Sequence, residues 1–283
     1  MAPTTWHPVT EAGGEFADLA AAEPDKVLLA LDFDGTLAHL VPDPEDSRMH
    51  AGSAAALAQL GDRLGQVAII TGRAVDAVRR LGELEGRPGL GRLVVLGQYG
   101  VERWDAATGE LREPEVGGAV AAAKRELVEL LAELAAAGHP VAGVHLEDKQ
   151  GRAIGVHTRR AEDPEAALAL LDEGVRGIGE RHGLHAEPGR LVIELRSSTR
   201  SKGDALADLV AEFSPGLVAM VGDDLGDLPA FELLPRLRER GIACCAVVSS
   251  SQEQPALTEV ADVVCDGPDG VADWLTELAR RVS

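Results

Sequence analysis

The sequence is poor in aromatic residues and in positive charge, and both shortages narrow what the protein can be. Aromatic residues make up 3% of the 283 residues, so Ala, Val, Leu and Ile have to build the core. Basic residues number 27 against 47 acidic ones, which gives a formal net charge of −20. Because this charge repels a polyanion and no basic tract interrupts it, we expect no nucleic-acid partner. A small anionic substrate remains possible, since a bound metal and a few arginines can reverse the local field.

Cysteine is also scarce. Cys244 and Cys245 are adjacent in a hydrophobic run and Cys265 follows, a pattern that favours buried thiols over a disulfide framework and agrees with a reducing cytosol. The N-terminal segment has neither the basic start nor the apolar stretch of a signal peptide, and no apolar run approaches the ~18–20 residues that span a bilayer. We therefore expect a cytoplasmic protein with no membrane partner, and a monomer is compatible with the sequence.

Short apolar runs are spaced along both ends of the chain. They occupy residues 27–31, 67–70, 93–96, 218–221, 243–248 and 262–264. Unbroken apolar runs of this length are typical of strands buried on both faces, and several are separated by helical stretches at 51–64, 74–82, 202–213 and 228–240. This alternation predicts a doubly wound parallel sheet, an α/β fold with a Rossmann-like core.

The middle of the chain has a different pattern. A helix over 117–137 precedes strands at 141–147 and 152–158 with a turn at 148–151, and a helix over 163–182 precedes a hairpin at 184–196 that turns at 187–190. This imperfect αββ repeat indicates an inserted α+β module. We predict a core over 1–113 and 199–283 and an inserted domain over 114–198.

Reactive side chains follow the predicted parallel strands, where ligands bind in open α/β sheets. Asp32 and Asp34 follow the first strand, Thr71 the second and Asp223 the fourth, while Lys202 begins a helix after Ser201 as its N-cap. This set suits attack on a phosphate monoester. Asp32 is the predicted nucleophile and Asp34 the acid and base, Thr71 and Lys202 neutralise the phosphoryl oxygens, and Asp32 and Asp223 hold Mg²⁺.

These motifs carry a family resemblance. Residues 32–37 (Asp-Phe-Asp-Gly-Thr-Leu), 71–73 (Thr-Gly-Arg), Lys202 and 222–224 (Gly-Asp-Asp) resemble the four motifs of the haloacid dehalogenase superfamily. The insertion lies between the second and third motifs, where C2-type caps occur in that superfamily. Within it, residues 26–276 are similar to the trehalose-6-phosphate phosphatases, most clearly at 146–149 (Leu-Glu-Asp-Lys) and 155–159 (Gly-Val-His-Thr-Arg).

The resemblance implies roles for further residues. Glu147 and Glu194 would accept hydrogen bonds from sugar hydroxyls, Lys149 would reach the sugar or its phosphate, and Arg73 would face the cap from the core. The complete set of predicted magnesium ligands is Asp32, Asp34, Asp223 and Asp224. Family members commonly carry a His-Gly-Glu type segment where residues 98–102 read Gln-Tyr-Gly-Val-Glu, a departure that touches the expected sugar pocket.

The sequence therefore predicts a Mg²⁺-dependent phosphatase that hydrolyses trehalose 6-phosphate through an aspartyl-phosphate. One alternative is a related phosphatase for a sucrose- or glycosyl-phosphoglycerate-type substrate. A second is a phosphomutase, which would return the phosphoryl group to sugar rather than to water. A third is a non-catalytic sugar-phosphate binder, against which the nucleophile and acid pair argues.

Overall fold

The computed structural model describes residues 5–149, 151–189, 191–250 and 255–283. The chain forms two compact units: Met1–Glu113 and Arg200–Ser283 make the first, and Pro114–Thr199 makes the second. Gln150 and Arg190, which belong to the two predicted hairpin turns, lie outside the described residues, as do the first four residues of the N-terminal segment.

Strands and helices alternate along both ends of the chain. Within the described residues the strands, numbered β1 to β13 in chain order, are Trp6–Pro8, Val27–Leu31, Gln66–Ile70, Val94–Gly97, Glu102–Asp105, Leu111–Arg112, His145–Lys149, Ala153–His157, His185–Gly189, Val192–Arg196, Leu217–Gly222, Ala243–Ser250 and Val263–Asp266. Over the same residues the α-helices, α1 to α9, are Glu11–Ala22, Ala51–Leu60, Val75–Leu81, Ala119–Ala136, Pro164–Arg181, Lys202–Phe213, Leu228–Phe231, Leu234–Glu239 and Gly267–Arg281.

The first unit is built on one sheet with the strand order β1-β13-β12-β11-β2-β3-β4-β5-β6. The strands from β13 to β4 run parallel, and β1, β5 and β6 add to the two edges in the antiparallel sense. All five residues of β2 are buried, which is why this strand reads as an unbroken apolar run. The predicted doubly wound α/β core is confirmed.

Helices cover both faces of this sheet. Leu29 and Leu31 of β2 belong to a core cluster with side chains from α1, α2, α3 and α9. Leu28 and Ala30 belong to a second cluster, on the other face, with side chains from α6, α7 and α8. Burying each leucine contributes roughly 1.5–3 kcal/mol, so β2 is a firmly held support for the residue that follows it.

The second unit is a four-stranded antiparallel sheet, ordered β7-β8-β10-β9, with α4 and α5. Alternate residues of the sheet, including Ile154, Val156 and Ile193, pack with the apolar sides of both helices. The intervening residues form a charged face, which includes His145, Glu147, Lys149, His157, His185, Glu187, Glu194 and Arg196. Side chains alternate between faces along a strand, so one sequence supplies both surfaces.

The structure differs from the predicted elements in several places. Strands β1, β5 and β6 were not predicted, and they extend the two edges of the sheet. The strand predicted over 141–147 begins only at His145. The helix predicted over 228–240 is two short helices, because Pro235 has no backbone N–H to donate and lies in the first turn of α8. Lys149, expected in a turn, is the last residue of β7 and pairs with Ala153.

The cysteines have the predicted character. Cys244, Cys245 and Cys265 are buried free thiols, and burial raises the pKa of Cys244 to about 11 and those of the other two further. Such thiols are poor nucleophiles. Among the described residues, no helix is both long enough and apolar enough to cross a bilayer.

Candidate active site

Four predicted site residues lie at one edge of the first unit's sheet. Asp32 follows β2, Thr71 follows β3 and Asp223 follows β11, and these three strands are parallel neighbours. Lys202 is the first residue of α6, whose N-terminus is closed by a capping box between Ser201 and Asp204. The carboxyl ends of parallel strands meet at one edge, so residues far apart in sequence are brought together here.

Lys202 is the electrostatic centre of this group. Its buried Nζ lies 2.8 Å from Oδ1 of Asp32 and 2.7 Å from Oδ1 of Asp227. Burial by itself would lower the pKa of Lys202, but the carboxylates of Asp227, Asp32 and Asp224 outweigh it and raise the pKa well above its ordinary value. The ammonium is therefore a permanent positive charge beside the predicted nucleophile.

Asp227 organises the loop that carries Asp223. Its Oδ2 accepts hydrogen bonds from the backbone N–H groups of Asp223, at 3.0 Å, and Asp224, at 3.2 Å. Asp227 is fully buried, and a Cβ atom on Gly222 would lie 2.3 Å from its Cγ. Only glycine fits at 222 with the carboxylate in this position. Asp227 is outside the set of magnesium ligands predicted from the sequence, although its spacing of four residues from Asp223 was an available signal.

Gly35 brings the first motif loop against Asp223. It has a φ of +71°, which favours glycine, and a Cβ there would lie 2.0 Å from Oδ2 of Asp223. The hydroxyl of Ser249 donates to the Gly35 carbonyl at 2.6 Å and fixes the loop from a third strand. The absence of a side chain at 35 lets the carboxylates of two motifs approach each other.

Three carboxylates share this small space. Oxygen atoms of Asp32, Asp223 and Asp227 all lie within 4.8 Å of one another. Burial raises the pKa of Asp32 well above its usual range, the pKa of Asp223 to about 8 and that of Asp227 to about 6. Crowded, desolvated oxygen donors with excess negative charge fit a small, hard divalent cation, which would relieve their repulsion.

The other two predicted metal ligands are placed differently. Both oxygens of Asp34 are engaged by Arg73, whose Nε lies 2.5 Å from Oδ2 and whose Nη2 lies 2.7 Å from Oδ1. Ser47 also donates to Asp34, at 3.3 Å, a contact that was not predicted from the sequence. Asp224 is partly exposed, and its Oδ1 lies 3.9 Å from Lys202 and accepts the N–H of Gly226. The assignment of Asp34 and Asp224 to the metal stays a prediction.

Thr71 is placed to donate a hydrogen bond. It is buried, and its Oγ1 accepts the backbone N–H of Arg73 at 3.1 Å, so the hydroxyl proton can be given to another oxygen. Glu102 supports this segment from β5, since its buried Oε2 accepts the N–H of Val75 at 2.7 Å and so caps α3. Gln98 and Tyr99, in the short segment between β4 and β5, have φ angles of +50° and +60°. Left-handed backbone in side-chain-bearing residues concentrates at functional sites.

The predicted sugar-binding residues meet on the charged face of the second unit. Lys149 contacts Glu194 directly. Glu147 accepts from His157 at 2.9 Å, and this hydrogen bond lowers the pKa of Glu147. Gly155 lies between Glu147 and Glu194 in the register, and the His157 ring lies over it, since a Cβ at 155 would be 2.7 Å from His157 Nε2. The structure thus brings Glu147, Lys149 and Glu194 onto one surface.

Comparison with known proteins agrees with these motifs. The trehalose-phosphatase family model matches residues 30–261. A Sinorhizobium fredii protein described as "Probable trehalose-phosphate phosphatase" is 31% identical over 80% of this chain and 80% of its own length. The trehalose-phosphate phosphatase of Mycobacterium marinum is 30% identical over 89% of this chain, which spans only 61% of that longer protein.

A solved structure shows the same fold. The C-terminal domain of Candida albicans trehalose-6-phosphate phosphatase superimposes with a TM-score of 0.71 at 19% identity, over 96% of this chain and 98% of that one. Together with the family match, the fold confirms the resemblance predicted from the motifs. The chain belongs to the trehalose-phosphatase family, and its fold is that of haloacid dehalogenase-like hydrolases.

Proposed function

We propose that this protein hydrolyses trehalose 6-phosphate to trehalose and inorganic phosphate, with Asp32 as the nucleophile and Mg²⁺ as the cofactor. The observation that carries the proposal is the buried Lys202 between Asp32 and Asp227, with Asp223 beside them. A lysine and three carboxylates are costly to bury, and phosphoryl transfer gives a reason to do so.

The proposed reaction has two steps, and each step is assigned to particular residues. Asp32 attacks phosphorus and forms an aspartyl-phosphate while the bond to the sugar oxygen breaks. Asp34 gives that oxygen its proton and then takes a proton from the water that cleaves the aspartyl-phosphate, so the carboxyl group is restored. Lys202 and the Thr71 hydroxyl bind the phosphoryl oxygens throughout.

Magnesium would be held by Asp32, Asp223 and Asp227, whose oxygens form the acidic group described above. When bound, Mg²⁺ supplies charge neutralisation to the phosphoryl group and to the attacking carboxylate. The raised pKa values of Asp223 and Asp227 come first from burial and then from neighbouring carboxylates, and they support this assignment because a bound cation would offset the cost of holding buried carboxylates in the ionised form.

Sugar selection is assigned to the second unit. Its charged face offers carboxylates at Glu147 and Glu194 and an ammonium at Lys149, which suit the many hydroxyls of a disaccharide. In the first unit, the Arg73 guanidinium holds Asp34 and also donates to the Pro44 carbonyl at 2.9 Å, and we propose a substrate-binding role for this residue as well. The three buried free thiols support a reducing compartment, and we propose the cytoplasm.

Phosphate release from a panel of sugar phosphates, with EDTA and after Mg²⁺ is restored, tests the function. We expect metal-dependent release that is fastest with trehalose 6-phosphate. A faster reaction with a sucrose- or glycosyl-phosphoglycerate-type substrate would change the assigned sugar. Isomerised sugar phosphate without free phosphate would indicate a mutase, and binding without turnover would indicate a regulatory binder.

A further inference from the structure

A second cluster of ligand-type side chains lies in the first unit, among residues that the proposed reaction does not use. Asp269 Oδ1 is 3.3 Å from Nε2 of His39 and 3.2 Å from Nε2 of His50, and all three atoms lie within 4.8 Å of one another. His39 is in the loop that follows the first motif, His50 immediately precedes α2, and Asp269 is in the first turn of α9. Helices α2 and α9 pack together, so the positions of His50 and Asp269 are fixed relative to each other.

The separations within this cluster match those between neighbouring ligand atoms of one small metal ion. Zinc in tetrahedral geometry binds nitrogen and oxygen at about 2.0–2.1 Å, which places neighbouring ligand atoms about 3.3 Å apart. The two imidazole rings are edge-on at an interplanar angle of 75°, so they do not stack and their nitrogens can converge on one point. We propose that His39, His50 and Asp269 bind a zinc ion.

The donor groups of His39, His50 and Asp269 determine which metals this site can bind. Two imidazoles with one carboxylate suit zinc and other late first-row metals, whereas Mg²⁺ prefers oxygen ligands alone. The site is therefore chemically distinct from the Asp32, Asp223 and Asp227 group. Three protein ligands leave the fourth zinc position for water or an incoming group.

Binding has a defined consequence for His50. Without zinc its Nδ1 accepts the backbone N–H of Gly52 at 3.2 Å, so the ring proton lies on Nε2. When zinc binds Nε2, that proton moves to Nδ1, and the Gly52 N–H loses its acceptor. Zinc should therefore alter the first turn of α2, which provides a local signature of occupancy.

The hydroxyl group of Ser47 lies between the His39 backbone and Asp34, the proposed acid. Ser47 Oγ lies 3.2 Å from the carbonyl oxygen of His39 and 3.3 Å from Oδ1 of Asp34. Zinc on the His39 side chain would restrain the segment that Ser47 bridges to Asp34.

Isothermal titration of zinc chloride into the full chain, with Mg²⁺ at saturation to fill the acidic group, tests the proposal. We expect one zinc ion per chain, with affinity at least about tenfold weaker in His39→Ala and in Asp269→Asn. His185→Ala, which removes an exposed histidine on β9, should leave the affinity unchanged and is the matched control. Zinc binding that is equal in all four proteins, or absent from the wild type, would overturn the site.

Two further measurements separate a metal role from a folding role. Zinc should raise the melting temperature of the wild type but not of His39→Ala, and it should shift the Gly52 amide resonance. X-ray absorption at the zinc edge should show two imidazoles and oxygen ligands; sulfur ligands would place the metal at the cysteines and refute the proposal. His50→Ala also removes the α2 cap, so its metal-free stability has to be measured beside its affinity.

Discussion

Arg73 holds both carboxylate oxygens of Asp34 in a two-pronged salt bridge, with Nε–Oδ2 and Nη2–Oδ1 distances of 2.5 and 2.7 Å. Arg73 thereby fixes the orientation of this carboxylate and occupies both of its oxygens, whereas a general acid must present a proton to the leaving group. The pair therefore represents a resting arrangement that has to loosen during the proposed reaction. Arg73 acts on the chemistry through Asp34, as a positioning residue.

Replacement of Arg73 by Met should lower the rate more for sugar phosphates than for aryl phosphates, by about tenfold or more in the ratio. The reason is that an alkoxide leaves only with a proton from a well-placed Asp34, whereas p-nitrophenolate leaves without one. Steady-state kinetics on both substrates measures the ratio. Arg103→Met is the matched control, since Arg103 also makes a two-pronged salt bridge, through Nη1 and Nη2 to Glu212 at 2.6 and 2.9 Å. Proportional losses on both substrates would contradict the positioning role.

Asp32→Asn should reduce phosphate release by about 10⁴-fold or more and leave the fold intact, because it removes the nucleophile. The side chain keeps its shape, and burial already raises the pKa of Asp32, so a neutral group is tolerated there. Phosphate assays and circular dichroism provide the two readouts. Substantial turnover by a folded Asp32→Asn variant would end the nucleophile assignment.

Asp227→Asn should weaken Mg²⁺ binding far more than Asp224→Asn. Asp227 is buried with Asp32 and Asp223, whereas the Asp224 side chain is 57% exposed and lies outside this group of three carboxylates. Titration calorimetry with Mg²⁺ gives both affinities, and the melting temperatures show whether either variant is misfolded. A larger loss in the Asp224 variant would restore Asp224 as the direct ligand.

Without Mg²⁺, the protein should lose stability as the pH rises from about 4 to about 8. Burial raises the pKa values of Asp223 to about 8 and Asp227 to about 6 from 3.8, so the native state binds more protons than the unfolded chain within this window. Stability falls with pH wherever the native state holds the extra protons. The raised pKa of Lys202 acts only above its ordinary value of 10.5, outside this window.

The measurement is the melting temperature against pH, with EDTA and with Mg²⁺. We expect a decrease of about 4 °C or more across the window in EDTA and a much smaller one with Mg²⁺, which favours the ionised carboxylates. Identical pH profiles in the two conditions would count against a cation at this group.

Glu194→Gln and Lys149→Met should each reduce kcat/KM for trehalose 6-phosphate by about 10- to 100-fold and spare p-nitrophenyl phosphate. The two side chains contact each other on the charged face, so each variant also removes a charge from that contact. Lys124→Met is the matched control, since it breaks the exposed Lys124–Asp148 pair of the same unit, 3.0 Å apart. Equal losses on both substrates would argue against a role in sugar selection.

The strand ends and their reactive residues were predictable because a buried parallel strand has a distinctive composition, and because ligands in open α/β sheets bind beyond the carboxyl ends of the strands. The directions of the side chains beyond those strand ends were not predictable from the sequence. Asp224 and Asp227 read alike in the sequence, and only the loop conformation decides which one turns inward to Lys202. Likewise, the sequence marks Arg73 as a functional cation, but its contact with Asp34 depends on how two separate loops fold back.

The placement of β2 between β3 and β11 also sets the order in which this protein can fold. β3 comes soon after β2 in the chain, but β11 comes only after the whole second unit. Until β11 docks, one side of β2 is an open sheet edge of unpaired backbone groups next to Asp32, and such edges invite aggregation. The second unit is continuous in sequence and needs no such long-range pairing. A ribosome-bound chain should therefore acquire its second unit before the group around Asp32, and dependence on chaperones should be greatest in the interval between the two.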